Sequence, residues 1–213
     1  MPNPACIPAI VTYAAHPCQP SGIGENIDMR SELRIVPVTP DLVPALAQLA
    51  ADTFTETFGY LFSADDLGTF LAQSYAPDVL ARATQATDAF WRLAVSEGGT
   101  AVGYLHVTPV HLPHADANAA TDGELRRLYI RRSHHGQGLG QRLMDLAVAH
   151  LDRAFPNGAH WISVWNRNET AIALYQSYGF EKAGEYLFNV GSAPNLMFIL
   201  RRPYASLRAM TSR

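Results

Sequence analysis

Residues 124–151 read ELRRLYIRRSHHGQGLGQRLMDLAVAHL, and this stretch decides the fold. The opening ELRRLYI predicts a β-strand, and HGQGLG at residues 135–140 separates it from a predicted amphipathic helix. The three glycines let backbone N–H groups converge, and the helix that follows presents unpaired N-terminal donors and the positive end of its dipole. The stretch therefore predicts a phosphate-binding loop. The helix is indicated by apolar residues at intervals of three and four: Leu139, Leu143, Leu146, Ala147 and Leu151.

Two common nucleotide-binding motifs do not fit this glycine loop. A Walker loop ends in Gly-Lys followed by Ser or Thr, but the only lysine of the chain is Lys182. A dinucleotide fingerprint would need glycine at position 141, which is Gln141. A glycine-rich helix start without function is the remaining alternative, and the strand and helix on either side of the loop argue against it.

Composition is typical of an ordinary globular protein. The chain has 213 residues, 48% of them hydrophobic, and a formal net charge of -3, which suits one domain with a real core. A general nucleic-acid-binding domain would be strongly basic, so no nucleic-acid partner is predicted. No stretch approaches the roughly 18 apolar residues that span a bilayer, and no secretory signal is predicted. We therefore expect a cytoplasmic protein without a membrane role.

The two chain ends are expected to lie outside the domain. Cys6 and Cys18 cannot build a disulfide framework or a four-cysteine zinc site, which fits a reducing compartment. Met29 is an alternative start for the natural chain. The predicted segments are a poorly structured extension at 1–30, a domain at 31–203 and a tail at 204–213.

Local patterns across the domain predict alternating strands and helices in one mixed α/β (α+β) unit. Pro37 lies in the first predicted strand, which should therefore be at a sheet edge. Thr39 with Pro40, and Ser63 with Asp66, predict helix starts, and a third short helix should run from Pro77. The predicted strands are 33–38, 90–96, 101–108, 124–130, 161–165, 180–188 and 196–200.

Charge is distributed unevenly along the domain. Residues 31–123 hold 11 acids and 3 arginines, a balance of -8, whereas residues 124–153 hold 3 acids and 6 arginines, a balance of +3. The basic segment surrounds the glycine loop and suits an anionic ligand there. The acidic segment suits a cationic molecule that approaches from the other side.

The glycine loop resembles the cofactor signature of the GCN5-related N-acetyltransferases, the GNAT family. That signature is Arg or Gln, two residues, Gly, one residue, then Gly or Ala, between a strand and a helix. Gly138 and Gly140 match, and the Arg or Gln position is His135. The resemblance implies a GNAT fold, with a single mixed, mostly antiparallel sheet of six to seven strands that is flanked by helices and splayed at its central parallel strands.

A second motif resembles a later pattern of the same family. NETAIALYQSYGF follows the glycine loop by about thirty residues, in the family's order, and the resemblance covers roughly residues 31–202. TFTETFGYL at 53–61 and VWNRNETAIALY at 164–175 look most like the PaiA-type polyamine acetyltransferase branch. The matching positions of the second motif are Asn168, Ala171, Tyr175, Gly179 and Phe180.

The resemblance implies acetyl-CoA as the acetyl donor. Loop amides would bind its pyrophosphate, His135 would order the loop, and backbone groups at the end of the preceding strand would pair with the pantetheine arm. Asn168 would lie beside the pantetheine, although it also suits a helix cap, as does Asn166 with Glu169. The predicted cofactor-binding residues are Leu128, Tyr129, Ile130, His135, Gly136, Gln137, Gly138, Leu139, Gly140, Gln141, Asn168 and Tyr175.

Glu124 and Tyr175 are the predicted catalytic residues. An amine that attacks a thioester must be neutral, so the reaction needs a base or a proton path through water. Regular alternation would place Glu124 on the strand face of Arg126, Leu128 and Ile130; the alternative is a solvated carboxylate or an ion pair with Arg126. The resemblance makes Tyr175 the acid that protonates the departing thiolate, although it also suits a core aromatic. A backbone N–H near Ile130 would stabilise the carbonyl oxygen.

The remaining candidates concern metal and acceptor binding. No HExxH helix and no carboxylate at ligand spacing accompanies the histidines, so no metal is predicted. His135 is assigned to the glycine loop, and His111 or His114 would border the acceptor cavity. Family architecture places the predicted helices after the first strand over the acceptor site, which makes Glu56 and Tyr60 candidate substrate contacts. The histidines considered are His106, His111, His114, His134 and His135.

Three functions fit these residues. The first is an acetyl-CoA-dependent N-acetyltransferase, an acyltransferase that acts on a primary amine of a small molecule, with polyamines favoured. The second is a protein N-terminal acetyltransferase, which needs an open groove for a peptide. The third is a non-catalytic acyl-CoA-binding regulatory domain, against which the presence of both Glu124 and Tyr175 argues. A homodimer is one option for the assembly.

Overall fold

The computed structural model describes residues 33–204. This part of the chain forms one seven-stranded sheet with helices on both faces. The predicted extension at 1–30, its two cysteines, and all but the first residue of the predicted tail lie outside the described residues. The strands are β1 (Arg34–Pro37), β2 (Phe90–Val95), β3 (Ala101–Pro109), β4 (Gly123–Ile130), β5 (His160–Trp165), β6 (Glu181–Val190) and β7 (Ala193–Arg202). The helices are α1 (Val43–Phe58), α2 (Ala64–Tyr75), α3 (Pro77–Thr84), α4 (Leu139–Ala154) and α5 (Glu169–Ser177).

The sheet has the strand order β1-β2-β3-β4-β5-β7-β6. Only the pair β4 and β5 is parallel, and every other neighbouring pair is antiparallel. The mixed, mostly antiparallel sheet predicted from the sequence is therefore confirmed. β1 lies at an edge of the sheet, as Pro37 predicted, because an edge strand tolerates a residue without an N–H.

The sheet opens between its two parallel strands. Ladder pairing of β4 with β5 runs from Gly123 opposite His160 to Leu125 opposite Ile162 and then ends. β4 nevertheless continues to Ile130, where it stays paired with β3. The C-terminal half of β4 thus diverges from β5, which is the predicted splay.

Two large apolar clusters cover the two faces of the sheet. One contains Leu128, Leu143 and Tyr175 and lies beneath α4 and α5. The other contains Phe54, Tyr129 and Leu80 and lies beneath α1, α2 and α3. Helices with one apolar face must bury it against a sheet, so the 3.6-residue periodicity in the sequence is satisfied on both sides.

Several helix ends are fixed by side chains that the sequence indicated. The Ser63 hydroxyl accepts a hydrogen bond from the Asp66 N–H at 3.1 Å, which confirms the predicted start of α2. At α5 the cap is Asn168, whose side chain accepts from the Ala171 N–H at 3.1 Å. Asn166 donates its N–H to the Leu196 carbonyl and does not cap the helix. α5 ends at Ser177, and Gly179, two residues later, adopts φ 83° and closes the helix end, as predicted.

The last two strands are longer than predicted. The polar run NVGSAPN resembles a loop, but Val190 pairs with Ala193 across a two-residue turn. Gly191 makes this turn with φ 57°, a conformation that residues with a Cβ rarely adopt. Within residues 33–204 no helix is long and apolar enough to cross a membrane.

Candidate active site

The glycine loop connects β4 to α4 and is open on its outer side. Gly136 and Gly138 have φ values of 73° and 76°, and nothing lies within 4 Å of the position a Cβ would take at either. In residues 33–204, no backbone carbonyl accepts from the N–H groups of Gly136, Gln137 or Gly138. The next amides, from Leu139 to Gln141, are in the first turn of α4 and so have no intrahelical acceptor. The loop is thus a concave array of N–H donors.

His135 anchors this loop to the strand before it. Its Nε2 lies 2.8 Å from the carbonyl oxygen of Ile130, the last residue of β4. Burial lowers the pKa of His135, and the hydrogen bond to Ile130 opposes that shift. The imidazole therefore spans the base of the loop, at the position where the family signature has Arg or Gln.

Three arginines that flank the glycine loop in sequence make contacts with other parts of the domain. Arg131 donates to the Asp52 carboxylate at 2.8 Å, and Arg132 donates to the Glu56 carbonyl at 2.9 Å. Arg142 donates to the carbonyl of Leu33. Within the loop itself, the backbone amides and the dipole of α4 are the features suited to an anion.

The strand segment beside the loop is Leu128–Ile130. It belongs to the half of β4 that diverges from β5, while its other edge pairs with residues 103–105 of β3. The side chains of Leu128 and Ile130 enter the cluster beneath α4, and that of Tyr129 enters the opposite cluster. The opening between β4 and β5 therefore leads from the glycine loop into the middle of the sheet.

A β-bulge changes the faces of β4. His106 pairs with Arg127, but Val107 pairs with Leu125, so Arg126 is the extra residue. Because of this bulge, Glu124 does not lie on the face of Leu128 and Ile130 that regular alternation predicted. Glu124 instead shares a side of the sheet with both Arg126 and Arg127, whose charges act on it.

Glu124 is a buried carboxylic acid, only 2% exposed. Its Oε2 accepts a hydrogen bond from the His111 N–H at 2.8 Å. Burial raises the pKa of Glu124 to about 7, although Arg126, the His111 N–H and Arg127 act in the opposite direction. Such a group is near half-ionised at neutral pH and can take up or release a proton there. The solvated-carboxylate alternative is excluded, since the side chain has almost no contact with solvent.

Tyr175 and Asn168 lie on the α4 side of the sheet. Tyr175 is fully buried, packs edge-on against Phe180 with ring centroids 6.4 Å apart, and belongs to the same cluster as Leu128 and Val164. Asn168 begins the helix that carries Tyr175. The splayed strands thus separate Tyr175 from Glu124, which is approached from the other face.

The two candidate acceptor contacts, Glu56 on α1 and Tyr60 just after it, lie in different surroundings. Glu56 accepts from the Arg132 N–H at 3.2 Å, so this carboxylate is tied to the turn that precedes the glycine loop. Tyr60 is 73% exposed. The structure therefore places Glu56 at the loop and Tyr60 at the surface, and does not bring either beside Glu124.

The sequence analysis gave no role in acceptor binding to two buried polar residues, His106 and Arg127. The His106 ring stacks on Trp91 with centroids 3.6 Å apart, and Arg127 lies 5.2 Å from the Tyr75 ring centroid. Both line a cavity of about 270 Å³ together with His111 and Arg126. Charged residues inside the predicted strands were the signal that could have indicated it. His114, by contrast, packs on Trp161.

Between residues 33 and 204, no three side chains of His, Cys, Asp or Glu are grouped in a way that could hold a metal ion. The His134 Nδ1 lies 2.9 Å from the Ser133 hydroxyl, and His135 contacts Ile130.

Comparison with known proteins identifies the class. The sequence model of the acetyltransferase (GNAT) family matches residues 45–180. The chain therefore belongs to this family and is an N-acetyltransferase. The splayed parallel strands and the glycine loop at the start of α4 are the parts of the fold that this class would use.

The individual relatives have low sequence identity to this chain. An uncharacterised N-acetyltransferase of Lactobacillus delbrueckii subsp. lactis is 28% identical over 172 residues, which is 80% of this chain and 96% of the relative. A spermine/spermidine N(1)-acetyltransferase of Bacillus subtilis is 34% identical over 65 residues, covering 30% of this chain and 43% of the relative. The crystal structure of a PaiA N-acetyltransferase from Thermoplasma acidophilum in complex with coenzyme A has a TM-score of 0.61 at 15% identity, covering 81% of this chain and 99% of that chain.

Proposed function

We propose that the protein transfers the acetyl group of acetyl-CoA directly to a primary amine of a small molecule. The observation that carries the proposal is a buried carboxylic acid, Glu124, with a pKa near neutrality, close to the point where the sheet opens below a phosphate-binding loop. This combination supplies a donor site and a proton acceptor. The family membership supplies the reaction class.

The donor site fits the charged end of acetyl-CoA. Gly136 and Gly138 leave space for oxygen atoms to approach the backbone, and the first turn of α4 adds donors and the helix dipole. We assign the pyrophosphate to the amides of residues 136–141. The pantetheine arm is assigned to the edge of Leu128–Ile130 that β5 leaves, and His135 keeps the loop in place. Acetyl-CoA supplies the activated acetyl group.

The chemistry requires two proton transfers. The neutral amine forms a C–N bond to the thioester carbonyl carbon, the C–S bond breaks, and the sulfur leaves as a thiolate. The ionised Glu124 takes the proton that the amine loses, directly or through water, and Tyr175 donates one to the thiolate. Solvent then restores Tyr175. A backbone N–H near Ile130 is the proposed donor to the carbonyl oxygen.

The acceptor class is proposed more broadly than the donor. Polyamines belong among the first acceptors to test, because the similarity to the Bacillus subtilis spermine/spermidine acetyltransferase supports them. That similarity covers 65 residues, which is 30% of the chain. Short peptides and amino acids complete the test panel, and a peptide preference would favour the protein N-terminal acetyltransferase alternative.

The test is release of the coenzyme A thiol from acetyl-CoA, followed with a thiol reagent across polyamines, amino acids, aminoglycosides and short peptides. A primary amine that releases thiol and appears acetylated by mass spectrometry supports the proposal. Acetyl-CoA that binds without release for any amine would support the regulatory-domain alternative. Acetyl-CoA that neither binds nor raises the melting temperature would contradict the donor site itself.

Two variants test the proton transfers. Glu124→Gln keeps an oxygen for the His111 N–H but removes the base, so kcat should fall by about 10² to 10⁴. The bend in log(kcat/KM) near pH 7 should disappear with it. Tyr175→Phe keeps the buried ring and removes the hydroxyl, and it should lower kcat with little effect on stability. Unchanged turnover in Tyr175→Phe would remove this residue from the acid role.

A further inference from the structure

The cavity lined by Arg127 and His106 contains buried polar and charged side chains. It lies between α3 and the sheet, on the side of the sheet that carries Glu124, and has a volume of about 270 Å³. Sites for drug-sized ligands are typically about 300–1,000 Å³, so this cavity suits a small chemical group. β3, β4 and the loop after β3 contribute five polar residues to its lining: His106, Thr108, His111, Arg126 and Arg127.

Arg127 is a buried cation that forms no direct ion pair in the described part of the chain, although its charge acts on Glu124 nearby. It is 5% exposed, its Nε has no hydrogen-bond partner, and no carboxylate within residues 33–204 forms an ion pair with it. Its guanidinium lies instead over two rings, 5.2 Å from the centroid of Tyr75 and 5.7 Å from that of Trp91. Burial of a charge is unfavourable unless it is paired, and an anion that enters the cavity would pair it.

His106 adds a neutral hydrogen-bond donor to the same wall. It is 5% exposed, and neither ring nitrogen has a hydrogen-bond partner in residues 33–204. Burial lowers the pKa of His106 well below its usual value, and Arg127 and Arg126 act in the same direction. The ring is therefore uncharged at neutral pH, with one N–H to donate. The stack on Trp91 holds the ring in a fixed orientation.

The charge of the cavity wall disfavours a polycation. Arg126 and Arg127 both line it, and Asp88 is the one acidic residue of the lining. Glu124 is close by, because His111 lines the cavity and donates its N–H to that carboxylate. A molecule that presents an amine to Glu124 can therefore place a second group a short distance away, against two arginines.

We propose that this cavity binds a carboxylate of the acceptor, with Arg127 as its ion-pair partner and His106 as a further donor. The inference rests on the proposed function and narrows its substrate to a small molecule that carries both a primary amine and a carboxylate. Glu124 takes the proton of the amine, while the carboxylate fixes the orientation of the molecule. Arg127 is then a specificity-determining residue.

The test compares acceptors that share a primary amine and differ only in the group at the opposite end of the molecule. Glycine, β-alanine, 4-aminobutanoate and 5-aminopentanoate are each compared with the alkylamine and the diamine of the same length in the thiol-release assay. For at least one length, the amino acid should exceed both counterparts in kcat/KM by about ten- to hundred-fold, as expected for a charge-assisted hydrogen bond. Diamines or alkylamines that match or exceed the amino acids at every length would overturn the proposal.

Arg127→Met supplies the variant, because it keeps an unbranched, flexible side chain and removes the charge. It should abolish the preference, so that the amino acid and the alkylamine of equal length have similar kcat/KM in the variant. The ratio of the two values is the readout, because the charge of Arg127 also acts on the pKa of Glu124 and its loss changes the rate with every acceptor. Arg82→Gln is the matched control, since Arg82 lies on α3, pairs with Asp78 and is 70% exposed. A preference that survives Arg127→Met in a folded protein would overturn the role of Arg127.

A binding measurement separates this inference from the proposed function. Calorimetric titration of the wild type, in the presence of coenzyme A, with 4-aminobutanoate and butanoate needs neither turnover nor a variant. Carboxylate binding without thiol release from any amine would contradict the proposed function and leave the anion site standing. Thiol release from simple amines, with no carboxylate bound or preferred, would support the function and overturn the anion site.

Discussion

Replacement of Glu124 with Gln should make the protein more stable at alkaline pH than the wild type. The folded protein raises the pKa of Glu124 from 4.5 to about 7 by burial. Between these two values the folded state holds more protons than the unfolded state, so stability falls as the pH rises. The contribution of Glu124 is fully present below pH 4.5 and is lost as the pH passes 7. A pKa change of this size corresponds to up to about 3 kcal/mol.

The assay is urea denaturation of both proteins at pH 5, 6, 7 and 8. The free energy of unfolding of Glu124→Gln minus that of the wild type should grow by up to about 3 kcal/mol across the series. For a domain of this size, that equals roughly 6–12 °C in Tm. Glu185→Gln measures the effect of losing a surface carboxylate, since Glu185 is about half exposed and contacts Lys182. A difference that stays constant with pH, or that shrinks, would refute the reasoning.

Three other substitutions test the donor site. Gly138→Ala forces a Cβ into a residue with φ 76° and should weaken acetyl-CoA binding about five-fold. The control is Gly68→Ala, within α2, which should leave acetyl-CoA binding unchanged and raise the free energy of unfolding by roughly 0.5–1 kcal/mol. Equal binding by both variants would contradict the loop assignment. His135→Ala removes the contact to Ile130 and should raise the KM for acetyl-CoA about two- to ten-fold with a smaller change in kcat. Steady-state kinetics with acetyl-CoA as the varied substrate measures both values, and an unchanged KM would contradict the proposed role of His135. Asn168→Ala removes the cap of α5 and should lower the free energy of unfolding by about 1 kcal/mol, measured by denaturation; no loss would mean that the cap is dispensable.

Local sequence patterns predicted most of the fold. Period-two and period-3.6 patterns are local, so the strands, the helices and the glycine loop could be identified without tertiary information. The Ser63 and Gly179 helix ends could also be predicted, because capping depends on residues only a few positions apart. The final hairpin was underestimated, since its tight turn at Gly191 is flanked by polar residues typical of loops.

The candidate site was predicted less completely. Glu124 could be identified from its position at the start of β4, but its face could not, because the bulge at Arg126 depends on pairing with His106 and Val107 of another strand. For the same reason, the sequence could not show which residues the arginines of 124–153 contact, because those residues belong to distant parts of the chain. Arg131 pairs with Asp52, 79 positions away, so the charge count of a segment did not indicate where that charge acts.

The sequence by itself determined the reaction class, because a glycine loop between a strand and a helix, followed by a second motif, is readable from neighbouring residues. Tertiary structure decided the environment of the reacting groups. Burial gives Glu124 a pKa near 7, and β3, β4 and α3 together place Arg127 and His106 around one cavity. Burial and charge proximity are properties of distant segments brought together, so no local pattern contains them.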